Sequence, residues 1–324
     1  MGGIESFATL PMWIGFIVFL LGMLALDVWV LGGGHAHKVS TREAVGWCLV
    51  WVTLALLFCL LQWWYLDGSL GRAVANEKSL EFLSGYVIEK SLSVDNIFVF
   101  LMIFGYFGVP PQLQRRILLF GVLGAIVLRA GMILLGAWLI SHFSWIMYLF
   151  GAFLVFTGIK MLVVSEQDAD LGNNPVLGWL RRHLKVSKDY DGERFFTVQN
   201  GIRHATPLLL VLVLIEITDL IFAVDSIPAI FAITTDPFIV FTSNMFAIMG
   251  LRALYFLLAD IADRFHFLKY GLALVLVFVG GKMLAAYWYH VSTLWSLGIV
   301  AGILLISVVA SIVSTRSKSD RSDS

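Results

Sequence analysis

Apolar runs of about 20 residues recur from one end of the 324-residue chain to the other, each bounded by charge, glycine or proline. A helix of about that length crosses the ~30 Å hydrocarbon core of a bilayer. Inside lipid every backbone polar group must be satisfied within the protein, which favours helices as spanning elements. The pattern predicts nine spans, at about 10–31, 44–66, 81–107, 116–140, 144–164, 207–233, 237–259, 266–288 and 292–314. The fold class is an all-α polytopic membrane protein with a single transmembrane domain over 1–324. The long polar interval, 165–206, reads as a loop. Its basic stretch Trp179–Lys185 is either an ordinary charged linker or a segment lying on anionic lipid.

Composition agrees: 59% of residues are hydrophobic and 14% charged, against roughly 25% charge in a soluble domain. With 22 basic and 22 acidic residues the net charge is zero, and no basic tract marks a nucleic-acid partner. Cys48 and Cys59 share one apolar run, which argues against a disulfide framework or a thiolate metal site. The first run ends at Asp27 and Trp29 instead of the small residues of a cleavage site, so it is expected to remain as the first span.

Position carries more information than the total. Under the nine-span reading, one side of the membrane receives fifteen Lys and Arg residues, from Lys38 to Arg321, and the other only Arg72 and Lys78. The positive-inside rule then places the N-terminus outside and the C-terminus in the cytoplasm.

Two triplets of spans resemble each other. Ser93-Val94-Asp95-Asn96-Ile97 matches Ala223-Val224-Asp225-Ser226-Ile227, with Glu89 falling on Asp219. Leu128-Arg129-Ala130 matches Leu251-Arg252-Ala253, and Tyr148, Gly158, Lys160 and Met161 match Tyr270, Gly280, Lys282 and Met283. Three spans is an odd number, so the second unit (207–288) must run opposite to the first (81–164). Such inverted repeats recur in secondary transporters, whose substrates bind near the midplane. Lys160 and Lys282 are expected to snorkel to opposite surfaces.

Eight ionisable residues fall inside the spans: Glu89, Lys90, Asp95, Arg129, Glu216, Asp219, Asp225 and Arg252. Each would cost at least ~2.5–3.5 kcal/mol at the bilayer centre, so they must compensate one another or a bound ion. Five acids against three bases leave −2, the charge that one divalent cation or two protons would cancel. Glu216 and Asp219 share a helix face. Pro228 withholds an N–H from the carbonyl of Val224 and predicts a kink or break beside Asp225. Together with Asn96, Ser226 and main-chain carbonyls the acids form an all-oxygen set, suited to Mn²⁺, Mg²⁺ or Ca²⁺. Lys90, Arg129 and Arg252 are counter-charges; for the arginines a plain structural ion pair is the other reading. Asp27 reads as interfacial, with a secondary ligand role as the alternative. His35-Ala36-His37 reads as a solvated pair and Trp63-Trp64-Tyr65 as an interfacial aromatic belt.

The segments Glu89–Asn96 and Glu216–Pro228 resemble the two signature segments of the TerC family of bacterial membrane proteins, and Thr234-Thr235-Asp236-Pro237 adds to the likeness. The resemblance implies a LysE-like transporter of the bacterial inner membrane that exports manganese. It carries over Glu89, Asp95, Asn96, Glu216, Asp219, Asp225 and Ser226 as functional positions, with no resident cofactor and no enzymatic activity. The ion and the direction come from this resemblance alone. A metal-binding stress-complex scaffold and a divalent-cation uptake transporter need the same ligands. An intramembrane aspartyl hydrolase would need a Gly-x-Gly-Asp pattern that the chain lacks. No nucleotide-binding loop supplies ATP energy, which leaves proton exchange as the simplest drive.

Overall fold

The computed structural model describes residues 6–32, 40–143, 145–163, 175–187, 189–199, 201–259, 267–286, 288 and 291–322. Asp27 and Asp95 have a helical backbone, and their side chains, like His35 and His37, lie outside the described residues.

Among the described residues there are eleven helices and one hairpin: α1 (Leu10–Gly32), α2 (Thr41–Ser69), α3 (Arg72–Tyr106), α4 (Pro111–His142), α5 (Ile146–Val163), α6 (Pro175–His183), β1 (Phe196–Gln199), β2 (Ile202–Ala205), α7 (Pro207–Phe231), α8 (Pro237–Met249), α9 (Leu251–Ala259), α10 (Leu268–Ala285) and α11 (Thr293–Ser322). Among the described residues six segments are long and apolar enough to cross a membrane: Arg42–Ser69, Pro111–His142, Ile146–Val163, Pro207–Phe231, Pro237–Ala259 and Thr293–Ser311. The protein is an all-α polytopic membrane protein. The 35-residue α3, about 52 Å long, stands outside this set because of its charge: Glu89, Lys90 and Asp95 lie in its second half.

The expected boundaries change at three places. α3 begins at Arg72, about nine residues before the predicted start of the third span. Gly71, at φ +91°, turns the chain out of α2 while its N–H and that of Leu70 both bond the Leu66 carbonyl; only glycine adopts that φ without strain. The seventh predicted span is two helices that meet at Gly250, where a side-chain carbon would run into Trp51 and the Lys90 ammonium. The 165–206 interval holds α6 and an antiparallel hairpin in the register Phe196↔Ala205 to Gln199↔Ile202. Leu177 and Leu180 bury the inner face of α6 and leave Trp179 exposed. Tyr190 of this interval donates to the Phe107 carbonyl at the end of α3 (2.9 Å).

α8 lies at the centre, packed on α3 and α4. α1 covers it through rings: Trp13, Phe16 and Phe19 meet Phe238, Phe241 and Phe246, with Phe58 and Phe82 from α2 and α3 completing the cluster.

α5 and α10 cross in close contact. A Cβ on Gly158 would lie 2.7 Å from the Ala273 carbonyl oxygen, and one on Gly280 would lie 2.6 Å from that of Gly151. Small residues at such crossings let two backbones approach where lipid provides no hydrophobic drive. Gly158→Val should therefore force the helices apart, at a cost of about 1–3 kcal/mol or more. A drop in the melting temperature and in the monodisperse yield of the purified variant would show this.

Candidate functional site

α7 contributes most of the site. Pro207 at its first turn fixes the start of the helix, and residues 208, 211, 215, 219, 223, 226 and 227 are all buried. The helix continues through Pro228 to Phe231, so the break expected beside Asp225 does not occur. Pro228 still withholds an N–H from the Val224 carbonyl of the preceding turn, and the helix carries that lost bond without interruption.

The central feature is an ion cluster with side chains from three helices. Arg129 of α4 donates to Asp219 of α7 through Nε (3.1 Å) and Nη2 (3.0 Å), and its Nη1 pairs with Glu89 of α3. Asn96 of α3 donates to the same Asp219 carboxylate at 3.2 Å. Glu89, Arg129, Asp219 and Asn96 are between 0% and 2% exposed. Desolvating each ion costs several kcal/mol, which only close pairing and further hydrogen bonds repay. One guanidinium holds two carboxylates here, so the cluster sums to −1.

Glu216, one turn before Asp219, occupies the space that a side chain on Gly124 of α4 would need. Its Oε2 is buried without a hydrogen-bond partner among the described residues. Asp225 is half-buried on the opposite side of α7 and accepts from Thr157 of α5 at 3.3 Å.

A cavity of about 270 Å³ joins these parts. Asn96 and Leu92 of α3, Arg129 of α4, Thr157 and Lys160 of α5, Phe222, Asp225 and Ser226 of α7 and Lys269 of α10 are on its wall. Ser226 is buried, and its hydroxyl has no hydrogen-bond partner among the described residues. The cavity thus connects the polar tips of Asp225, Ser226 and Asn96 with the Arg129 cluster. Among the described residues no three His, Cys, Asp or Glu side chains stand together as a ready metal cage.

Two expected counter-charges do not line the cavity. Lys90 turns away from the acids and donates to the Ala247 carbonyl of α8 at 3.4 Å. Arg252 is buried on α9, which packs on α2, α3 and α4, and is not on the cavity wall.

The sequence reading passed over two groups. Thr157 reaches the cavity, as does Lys160, three residues on along the same face of α5 and expected from the sequence only at a membrane surface; that spacing was the available signal. Glu81, 6% exposed, accepts from Lys78 (3.0 Å) and from Thr234 (2.7 Å). Thr234 also accepts from the amide of Asp236, whose carboxylate caps α8 and accepts from Ser6 and from the amide of Phe7.

The family model for the Integral membrane protein TerC family matches residues 74–319. The chain belongs to the TerC family. It is 57% identical over 305 residues to Alx of Shigella flexneri, covering 94% of this chain and 95% of that one. With Alx of Photorhabdus laumondii the identity is 53% over 301 residues, covering 93% and 94%. The name of these relatives provisionally describes them as membrane-bound redox modulators. The membrane protein STKORF319 of Myxococcus xanthus is 47% identical over 307 residues, 94% of this chain and 93% of that one. No solved structure gives a significant match. As a TerC chain this is a multi-pass integral membrane protein of a bacterial family.

Proposed function

We propose that this TerC protein is a secondary-active exporter of divalent metal cations, manganese foremost, which returns protons to the cytoplasm in exchange. The observation that carries the reading is the cavity that brings Asp225, Ser226 and Asn96 to the Arg129 cluster. Its oxygen donors suit a hard cation, and a buried ion cluster inside a membrane domain marks an ion path by default. The ligands would be Asp225, Ser226 and Asn96 with Asp95 of α3. Glu89, Asp219 and Arg129 would form a fixed rear wall, and Glu216 would supply a further proton-carrying carboxylate.

The finer architecture is part of the proposal: nine spans, with α1, α3 and α10 crossing alongside the six apolar segments, and two inverted three-helix repeats, 81–164 and 207–288. The α5–α10 crossing supports the repeat. Gly158 meets Ala273 and Gly280 meets Gly151, and an offset of 122 turns one contact into the other with the partners exchanged. Rocking of one repeat against the other would alternate access. By the charge asymmetry of its linkers the chain would sit in the bacterial inner membrane with its N-terminus outside. The end bearing Lys160 and Lys269 would then face the cytoplasm.

Moving a divalent ion outward against an inside-negative potential costs about 2 × 2.3 kcal/mol per 100 mV. Two protons returned per ion make the cycle electroneutral; three also draw on the potential. In proteoliposomes an inward manganese gradient should alkalinise the lumen, because each entering ion is exchanged for protons that leave. Manganese flux indifferent to an imposed pH gradient would rule the coupling out, and no flux of manganese, calcium or magnesium would rule out transport.

A further inference from the structure

A cation on the wall of a cavity assigned to a cation calls for a physical role. Lys160 was expected to reach into the cytoplasmic headgroups, yet it lines the same cavity as Asp225. The geometry limits where its charge can go. Thr157 donates to Asp225 at 3.3 Å, and Lys160 is rooted three residues further along the same face of α5, a little under one 5.4 Å turn away. A lysine carries its ammonium on a flexible four-carbon stem, long enough to cover that turn. The ammonium therefore has two accessible positions, one at the exposed mouth and one beside the Asp225 carboxylate. The other charged groups on the wall are Arg129, already held by Asp219 and Glu89, and Lys269 of α10.

Resting on the assignment of Asp225 as a ligand of the transported ion, we propose that Lys160 is a tethered substitute for that ion: it pairs with Asp225 when the cavity holds no metal and swings to the mouth when a divalent cation binds. A carboxylate left alone in a half-buried cavity would carry an uncompensated charge, and desolvating such a charge is costly. A built-in cation removes that cost for the empty carrier. It also lowers the affinity for metal, because each arriving ion must displace an ammonium that cannot diffuse away. Weak, competed binding favours release on the far side.

Zero-length coupling tests the pairing without depending on transport. The metal-free full-length protein in detergent is treated with a water-soluble carbodiimide, which joins an amine to an adjacent carboxylate as an amide with loss of water. Peptide mapping should find Lys160 joined to Asp225, and the product should be absent from Lys160→Arg and Asp225→Asn. Saturating Mn²⁺ should suppress it. In parallel, Lys160→Gln should bind Mn²⁺ on the order of tenfold more tightly than the wild type, with Lys160→Arg close to the wild type.

No coupled product, or Lys160→Gln binding Mn²⁺ equally or more weakly, overturns the tethered-cation proposal. So does a product that persists under Mn²⁺ while the wild type binds the metal, and the transport reading then survives. If neither the wild type nor Lys160→Gln binds Mn²⁺, both proposals fall together.

Discussion

Asp225→Asn should reduce manganese efflux from proteoliposomes to about the rate of protein-free vesicles, a loss of roughly a hundredfold or more, while the protein still inserts and elutes as the wild type does. The carboxylate contributes formal charge to a site whose other proposed ligands are the neutral oxygens of Ser226 and Asn96 and one further carboxylate, Asp95, and hard cations depend on the charge count of their ligands. Its position explains why insertion should survive: Asp225 is half-buried, and among the described residues its one hydrogen bond comes from the Thr157 hydroxyl, which can equally serve the amide oxygen of Asn. Asp225→Glu keeps the charge in a cavity with room for one more methylene and should retain part of the flux. Wild-type metal tolerance in cells carrying Asp225→Asn would remove Asp225 from the site.

Arg129→Met should have the opposite character, with the fold failing before the transport. The guanidinium is 1% exposed and compensates Glu89 and Asp219 together. Breaking a buried pair by removing one partner costs about 3–5 kcal/mol because a charge is left uncompensated, and here two carboxylates are stranded at once. The expected result is little folded protein, seen as loss of the monodisperse peak and a large fall in melting temperature. Adding Glu89→Gln and Asp219→Asn to Arg129→Met removes the stranded charges and should restore much of the yield without restoring flux. Arg129→Lys should sit between, since an ammonium cannot reproduce the two parallel bonds to Asp219. If Arg129→Met folds with the stability of the wild type, the cluster is not what holds α3, α4 and α7 together.

The two experiments separate roles that looked alike in the sequence. Glu89, Asp219 and Asp225 could all be identified from the chain because an ionisable residue in an apolar run is conspicuous by its cost. Their division of labour could not, since it depends on how each helix is rotated about its axis. Arg129 faces both α3 and α7, while Lys90, adjacent to Glu89 in sequence, is turned toward the Ala247 carbonyl. Pro228 was a sound signal of a missing N–H, but one lost bond did not interrupt the helix, which runs on to Phe231. The turn at Gly71 and the join at Gly250 were hidden for different reasons. At Gly71 charged residues on both sides made a continuous helix look like a linker, and at Gly250 an apolar run concealed a packing constraint from Lys90 and Trp51. The hairpin had a local signal, Asn200-Gly201 between alternating residues, outweighed by the polarity of the whole interval. Thr157 and Lys160 were legible as neighbours on a face, but nothing in α5 alone says what that face meets.

The caps of α8 also bear on the order in which the chain is assembled. Ser6 and Phe7 are bonded to Asp236, 230 and 229 residues away, and the rings of α1 find their partners on α8. At about 5–20 residues per second of synthesis, α1 waits some ten to fifty seconds in the membrane before that surface exists. A nascent chain halted before residue 236 should therefore leave its first helix with only the Phe16–Phe58 ring contact to α2 among the described residues and more open to quality-control proteases, whereas one halted after α8 should already hold it.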